Sequence, residues 1–117
     1  MRLNFLLIPL AALALSACGT MSLEGAIDRA ADAACDKADA CGEIGQGLTY
    51  ASRNACMIDY RATFQNQWTP GRCEENINQD GFDQCVNRIE IMQCGNILDM
   101  ANVLLNCGAN SVCGGNG

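Results

Sequence analysis

The cysteines constrain this chain more than any other feature. Eight of the nine, Cys35, Cys41, Cys56, Cys73, Cys85, Cys94, Cys107 and Cys113, recur along its second part, while Cys18 stands alone behind an apolar run. Zinc sites favour close Cys-x-x-Cys pairs, often completed by histidine. The sequence has no such pair and no histidine, which argues against a metal site. An even set of cysteines in an oxidising compartment predicts a disulfide frame, each bond contributing about 2–4 kcal/mol chiefly by restricting the unfolded chain. The ninth cysteine then needs a separate use.

The N-terminus reads MRLNFLLIPLAALALSAC. One positive residue, Arg2, precedes an uncharged run from Leu3 to Leu15 that ends in small residues, the pattern of an export signal. A membrane span needs about 20 apolar residues, and this run falls short. Leu15, Ser16, Ala17 and Cys18 resemble the lipobox of bacterial lipoproteins, in which the cysteine thiol is alkylated with diacylglycerol and the chain is cleaved before it. The alternative is an ordinary export signal cut after Ala17. The lipobox resemblance implies a covalent diacylglycerol and an N-acyl chain on Cys18, no other cofactor, and the lipid bilayer as a partner through that residue. Two or more acyl chains anchor stably where one binds reversibly. Gly19, where an aspartate would retain a lipoprotein in the inner membrane, implies the outer membrane, on its periplasmic or exterior face.

Removing residues 1–17 leaves 100 residues, enough for one small domain. Its 6 Lys and Arg against 13 Asp and Glu give a net charge of −7. Such a surface repels phosphate backbones, so nucleic acid is not an expected partner. The expected organisation is a lipoprotein signal over 1–17, a lipidated tether over 18–24, an eight-cysteine helical domain over 25–113 and a disordered tail over 114–117.

Apolar residues recur at helical spacing throughout, with no alternating run that reads as a strand. A first helix is expected over Leu23 to Cys41, and a second from Ser52 as N-cap, with Met57, Tyr60, Phe64 and Trp68 along one stripe. A third should start near Asp80 and carry Phe82, Cys85, Val86, Ile89 and Met92; a fourth should span Ile97 to Cys107. Cys41-Gly42, Cys94-Gly95 and Cys107-Gly108 each follow a helical run, so each glycine is expected to supply the left-handed turn that caps a helix. The predicted fold is all-α, a small disulfide-stapled up-and-down domain of about four short helices. That topology gathers Cys35, Cys41, Cys56 and Cys94 at one pole and Cys73, Cys85, Cys107 and Cys113 at the other. Nine pairings remain open within the poles, and the favoured set is Cys41 with Cys56, Cys35 with Cys94, Cys85 with Cys107, and Cys73 with Cys113.

Candidate chemistry is sparse. The loop CGEIGQGLTY is glycine-rich but follows a helix and lacks the lysine of a phosphate cradle. Asn76, Asn78, Asp80 and Gly81 match the first half of a calcium loop, but its closing bidentate glutamate is replaced by Asn87. Asp28, Asp32, Asp36 and Asp39 form an acidic row that reads first as a solvated face and second as a candidate binding surface. Trp68, beside a Pro-Gly turn, is expected half exposed and is the other candidate for that surface. With no histidine as general base, no free thiol and no recognisable serine nucleophile, the chain is not expected to be an enzyme.

The run CDKADACGEIGQGLTYASRNACMIDYRATFQNQW, with the spacings onward to Cys113, resembles a family of small bacterial cysteine-rich lipoproteins of unknown function, some labelled natural product biosynthesis lipoproteins. The resemblance rests on the Cys35 and Cys41 spacing, the CGEIG loop, Tyr50, Ser52, Arg61 and the eight-cysteine frame. It implies a disulfide-rich exported domain and supplies no catalytic residue. The function expected from the sequence is a membrane-anchored, non-catalytic binding or structural module of the cell envelope. The alternative is an accessory lipoprotein of a natural-product pathway that holds a small ligand or partner enzyme at the membrane. An envelope or pathway protein is the expected macromolecular partner.

Overall fold

The computed structural model describes residues 21–73, 77–96, 102–103 and 105–113; the expected export signal, the lipobox-like Leu15 to Cys18 and the expected tail over 114–117 lie outside them. Ser22 starts the first helix, α1, over Leu23–Ala40, its hydroxyl accepting from the Gly25 N–H at 3.0 Å. Ser52 starts α2, over Arg53–Gln67, in the same way, accepting from the Ala55 N–H at 3.1 Å. Each such cap contributes about 1 kcal/mol. A single turn, α3, occupies Pro70–Cys73; α4 spans Gln79–Ile91 and the short α5 Ala109–Val112. Most of the fourth helix expected from sequence lies outside the described residues, although 102, 103, 105 and 106 are helical.

The cap of α4 is Asn78 rather than Asp80: the Asn78 side chain accepts from the Gly81 N–H at 3.1 Å, and Asp80 falls in the first turn. The reason lies outside the helix. Ile77 forms an isolated antiparallel bridge with Cys113, and the Asn78 N–H donates to the Val112 carbonyl at 2.7 Å, so tertiary contact fixes where extended backbone ends.

Side-chain contacts give the helix directions. Asp28 meets Arg61 and Cys35 meets Cys56, so α2 runs antiparallel to α1. The Arg29 guanidinium lies 5.9 Å over the Phe82 ring, and Cys41 bonds to Cys94, so α4 runs alongside α1 in the same direction. The result is the expected all-α, up-and-down domain. Its core sets Ala26, Ala30, Ala33 and Ala34 of α1 against Phe64, Trp68, Phe82 and Ile89. Alanine lets helix axes approach, and the aromatic rings supply the buried area that alanine lacks. Trp68 is fully buried rather than half exposed, its indole N–H donating to the Cys107 carbonyl at 2.8 Å. Because α2 stops at Gln67 and Pro70 opens α3, the chain turns at Trp68 and carries the ring inward, edge-on to Phe82 at 6.1 Å.

Four disulfides staple the domain: Cys35–Cys56, Cys41–Cys94, Cys73–Cys113 and Cys85–Cys107. The division into two poles matches the sequence expectation, as do the two bonds of the second pole. At the first pole the partners are exchanged, since Cys41 pairs with Cys94 and Cys35 with Cys56. A tight link between α1 and α2 would set Cys41 beside Cys56. Instead the loop folds back on itself through the Ile44 and Tyr50 bridge, and Cys56, in the first turn of α2, comes level with Cys35 rather than with Cys41, six residues or about 9 Å further along α1.

The glycine caps follow the expectation at one site of three. Gly42 has φ +74° directly after the α1 C-cap Cys41. Gly95, at φ +75°, turns the chain beyond the α4 C-cap Met92, and Gly108 has negative φ because it is the N-cap of α5. Gly81 is constrained by space instead. A Cβ built there would overlap the Ser111 carbonyl, in backbone that Cys113–Cys73 ties down. Helix propensity alone favours Gly81→Ala by about 1 kcal/mol, but the backbone overlap should outweigh it and leave a net loss of at least about 1 kcal/mol in urea unfolding. Gly71→Ala, with nothing within 4 Å, should be neutral or stabilising in the same measurement.

Candidate functional site

The alanine face that brings the helices together runs out of partners near the C-terminal end of α1. There Ala34 and Ala38 are too small to fill the space facing Tyr60 and Phe64 of α2 and Ile89 and Met92 at the end of α4. The space left is a cavity of about 320 Å³, walled mainly by apolar atoms and open on one side. That volume is at the small end of ligand sites. The Cys41–Cys94 disulfide forms part of its wall.

Aromatic packing holds the α2 side of the cavity. Tyr50, Tyr60, Phe64, Trp68 and Phe82 form one continuous array with successive ring centroids 6.0, 6.3, 4.8 and 6.1 Å apart. Tyr60, Phe64 and Trp68 lie one helical turn apart, and Tyr50 reaches them because its loop folds back on α2. The Tyr50 hydroxyl donates to the Asp59 carboxylate at 3.3 Å. Burial pushes that phenol well above its ordinary range, and Tyr60 and the nearby Asp59 carboxylate add to the effect.

The cavity's charged groups are few. Lys37, in the last turn of α1, and Glu43, just beyond it, are the one cation and one anion among the described lining residues, so no two carboxylates converge there. Among the described lining residues there is therefore no carboxylate pair for acid–base chemistry. What the arrangement provides is a mainly apolar surface with a few polar groups, suited to holding a small molecule by burial. Among the described residues no group of three or more His, Cys, Asp or Glu is gathered as a metal site.

The candidate surface read from the sequence lies elsewhere and is already occupied. Arg53 pairs with Asp32 and with Asp36, the latter at 2.9 Å, and Arg61 pairs with Asp28. Three members of the acidic row are thus one side of the α1–α2 seam, each exposed pair contributing at most about 1 kcal/mol. Asp39 is exposed. With Trp68 in the core, the five residues do not form one surface. Ala34, Ala38 and Met92 line the cavity without having been legible in the sequence as site residues. The available signal was the pairing of an alanine-only face with a bulky stripe, which together leave volume unfilled.

Residues 35–115 match the model of a family of unknown function (DUF6184), and the chain belongs to that family. The match covers all four disulfides and the cavity lining from Lys37 onward. No curated protein and no solved structure matches the chain.

Because the native state holds Tyr50 protonated where the unfolded chain releases its proton, stability should be complete below pH about 10 and should fall as pH rises above it. Chemical unfolding measured across alkaline pH should show this slope, and Tyr50→Phe should reduce it.

Proposed function

We propose that the chain is a membrane-anchored, disulfide-rich bacterial lipoprotein whose helical domain is a non-catalytic binding module of the cell envelope, holding a small apolar molecule in the cavity between α1, α2 and α4. The cavity carries this reading. At about 320 Å³ it has about twice the volume of an apolar protein cavity that accepts benzene, which suits a ligand of two fused or linked rings.

The anchor follows from the lipobox resemblance at Leu15 to Cys18 together with the position of the first helix. Ser22 caps α1 and Met21 packs against the core, so the helical domain begins before residue 25. Lipidated Cys18 lies four residues before that cap, a reach of at most about 14 Å. The start of α1 therefore stays close to the bilayer, and the cavity lies near the other end of a helix about 27 Å long. Gly19 supports outer-membrane sorting. The alternative, an accessory lipoprotein of a natural-product pathway, uses the same cavity; recovery of a pathway enzyme as the main partner from detergent-solubilised membranes would favour it.

Metabolic labelling with a fatty acid should mark the wild-type protein and not Cys18→Ser; equal label in both would overturn the anchor. Separately, N-phenyl-1-naphthylamine should bind the purified chain saturably with a rise in fluorescence. Thr63→Phe, at an exposed lining position, should suppress that binding without loss of helical signal; unchanged probe binding would overturn the cavity reading.

A further inference from the structure

The four disulfides differ in their access to solvent. Cys35 and Cys56, Cys73 and Cys113, and Cys85 and Cys107 are all buried, the most exposed of the six being Cys113 at 7%. Cys41 is only partly buried and Cys94 is exposed. The surroundings differ in the same sense. Cys41 sits just past the end of α1 and Cys94 just past the α4 cap, each followed by a glycine at positive φ, whereas Cys35, Cys56 and Cys85 lie inside helices. Beyond its chain neighbours, a Cβ at Gly42 or Gly95 would meet no atom within 4 Å, so the space beside both cysteines' neighbouring glycines is open.

Thiol–disulfide exchange needs a thiolate to reach one sulfur in line with the bond, so access decides which disulfide reacts first. The other three crosslinks hold α1 to α2, α3 to α5, and α4 to Cys107 without help from Cys41–Cys94. Breaking this one bond therefore leaves the helical frame tied at both poles. It removes the covalent tie between the turn at Gln93 to Asn96 and the end of α1, and that turn and Cys41 are wall residues of the cavity.

We propose that Cys41–Cys94 is a reversible thiol–disulfide exchange site for an external dithiol, and that its reduced form opens the wall of the apolar cavity. The second half of this statement rests on the cavity reading above; the first half does not. In the reaction one thiolate of the dithiol attacks Sγ of Cys94, the Sγ–Sγ bond breaks, and Cys41 leaves as a thiolate that takes up a proton. The second thiol of the reagent loses its proton and attacks the mixed disulfide. It closes the reagent's own disulfide and releases Cys94, which is protonated in turn. Two electrons pass to the chain, and an oxidising disulfide reverses the sequence.

The test treats the purified, oxidised full chain in mild detergent with limiting dithiothreitol, quenches with acid, alkylates and maps the labelled peptides. Cys41 and Cys94 should be labelled at least about tenfold faster than the other six cysteines, as the difference in access implies. Labelling that begins at any of the other three bonds, or at all four together, overturns the exchange site. In parallel, N-phenyl-1-naphthylamine fluorescence should fall as Cys41 and Cys94 are reduced. The Cys41→Ala/Cys94→Ala double variant should keep the helical signal, resist the same dose of dithiothreitol and show the weakened probe binding of the reduced protein. A double variant that loses its helical signal shows a structural bond and overturns the proposal. Selective labelling with unchanged probe fluorescence overturns the opening of the wall alone, and absence of probe binding in the oxidised chain overturns the cavity reading and the opening with it, leaving the labelling to judge exchange.

Discussion

The close packing of α2 and α4 on the alanine face of α1 is the constraint on which the rest of the structure depends. Ala26, Ala30, Ala33 and Ala34 bury little area each, so the face contributes proximity more than hydrophobic free energy. Proximity is what the partners require. Phe64, Trp68 and Phe82 can share one core only if their helices lie within ring contact across α1. The sulfur bridges at the two poles likewise need Cα separations of 4.6 to 5.9 Å, which widely spaced helices could not offer.

Seen this way, the residues on which the family resemblance rests are fasteners of that packing. Ser52 starts α2 at the right height, Arg61 pairs with Asp28 across the seam, and Tyr50 carries the glycine-rich loop back to stack on Tyr60. The loop and Tyr50 also cover a second, smaller cluster around Cys35, Ala38 and Cys56. A domain of this size buries too modest a core to dispense with crosslinks. Trp68 ties the aromatic stripe of α2 to the second pole: it extends the stripe toward Phe82, and its indole N–H donates to the carbonyl of Cys107, a disulfide cysteine of that pole.

The same geometry that secures the core creates the cavity. Small residues suit the middle of α1, where large rings face them, and leave a void near its end, where α4 stops at Ile91 and the chain turns away through Met92. The wall is completed by the one disulfide whose cysteines both lie past helix ends, and these are also the most exposed of the eight. A domain that takes its rigidity from three buried crosslinks and sets a fourth at the cavity wall separates the bonds that maintain the fold from the bond that meets solvent.

Local chemistry was enough to read the all-α class, the Ser52 cap, the span of α1, the disulfide frame and its two poles, because periodicity, capping residues and the parity of the cysteines act over a few residues or over the whole chain at once. Pairing within the first pole was not legible, since it turns on how far the loop after Cys41 folds back before α2 begins, a matter of a turn and a half of helix. Nor were the burial of Trp68, the engagement of Asp28, Asp32 and Asp36 by arginines, and the choice of Asn78 over Asp80 as a cap, each decided by a partner distant in sequence. The cavity was the least legible feature of all. A void is defined by what neighbouring side chains fail to fill, and only the register of α1, α2 and α4 determines which side chains are neighbours.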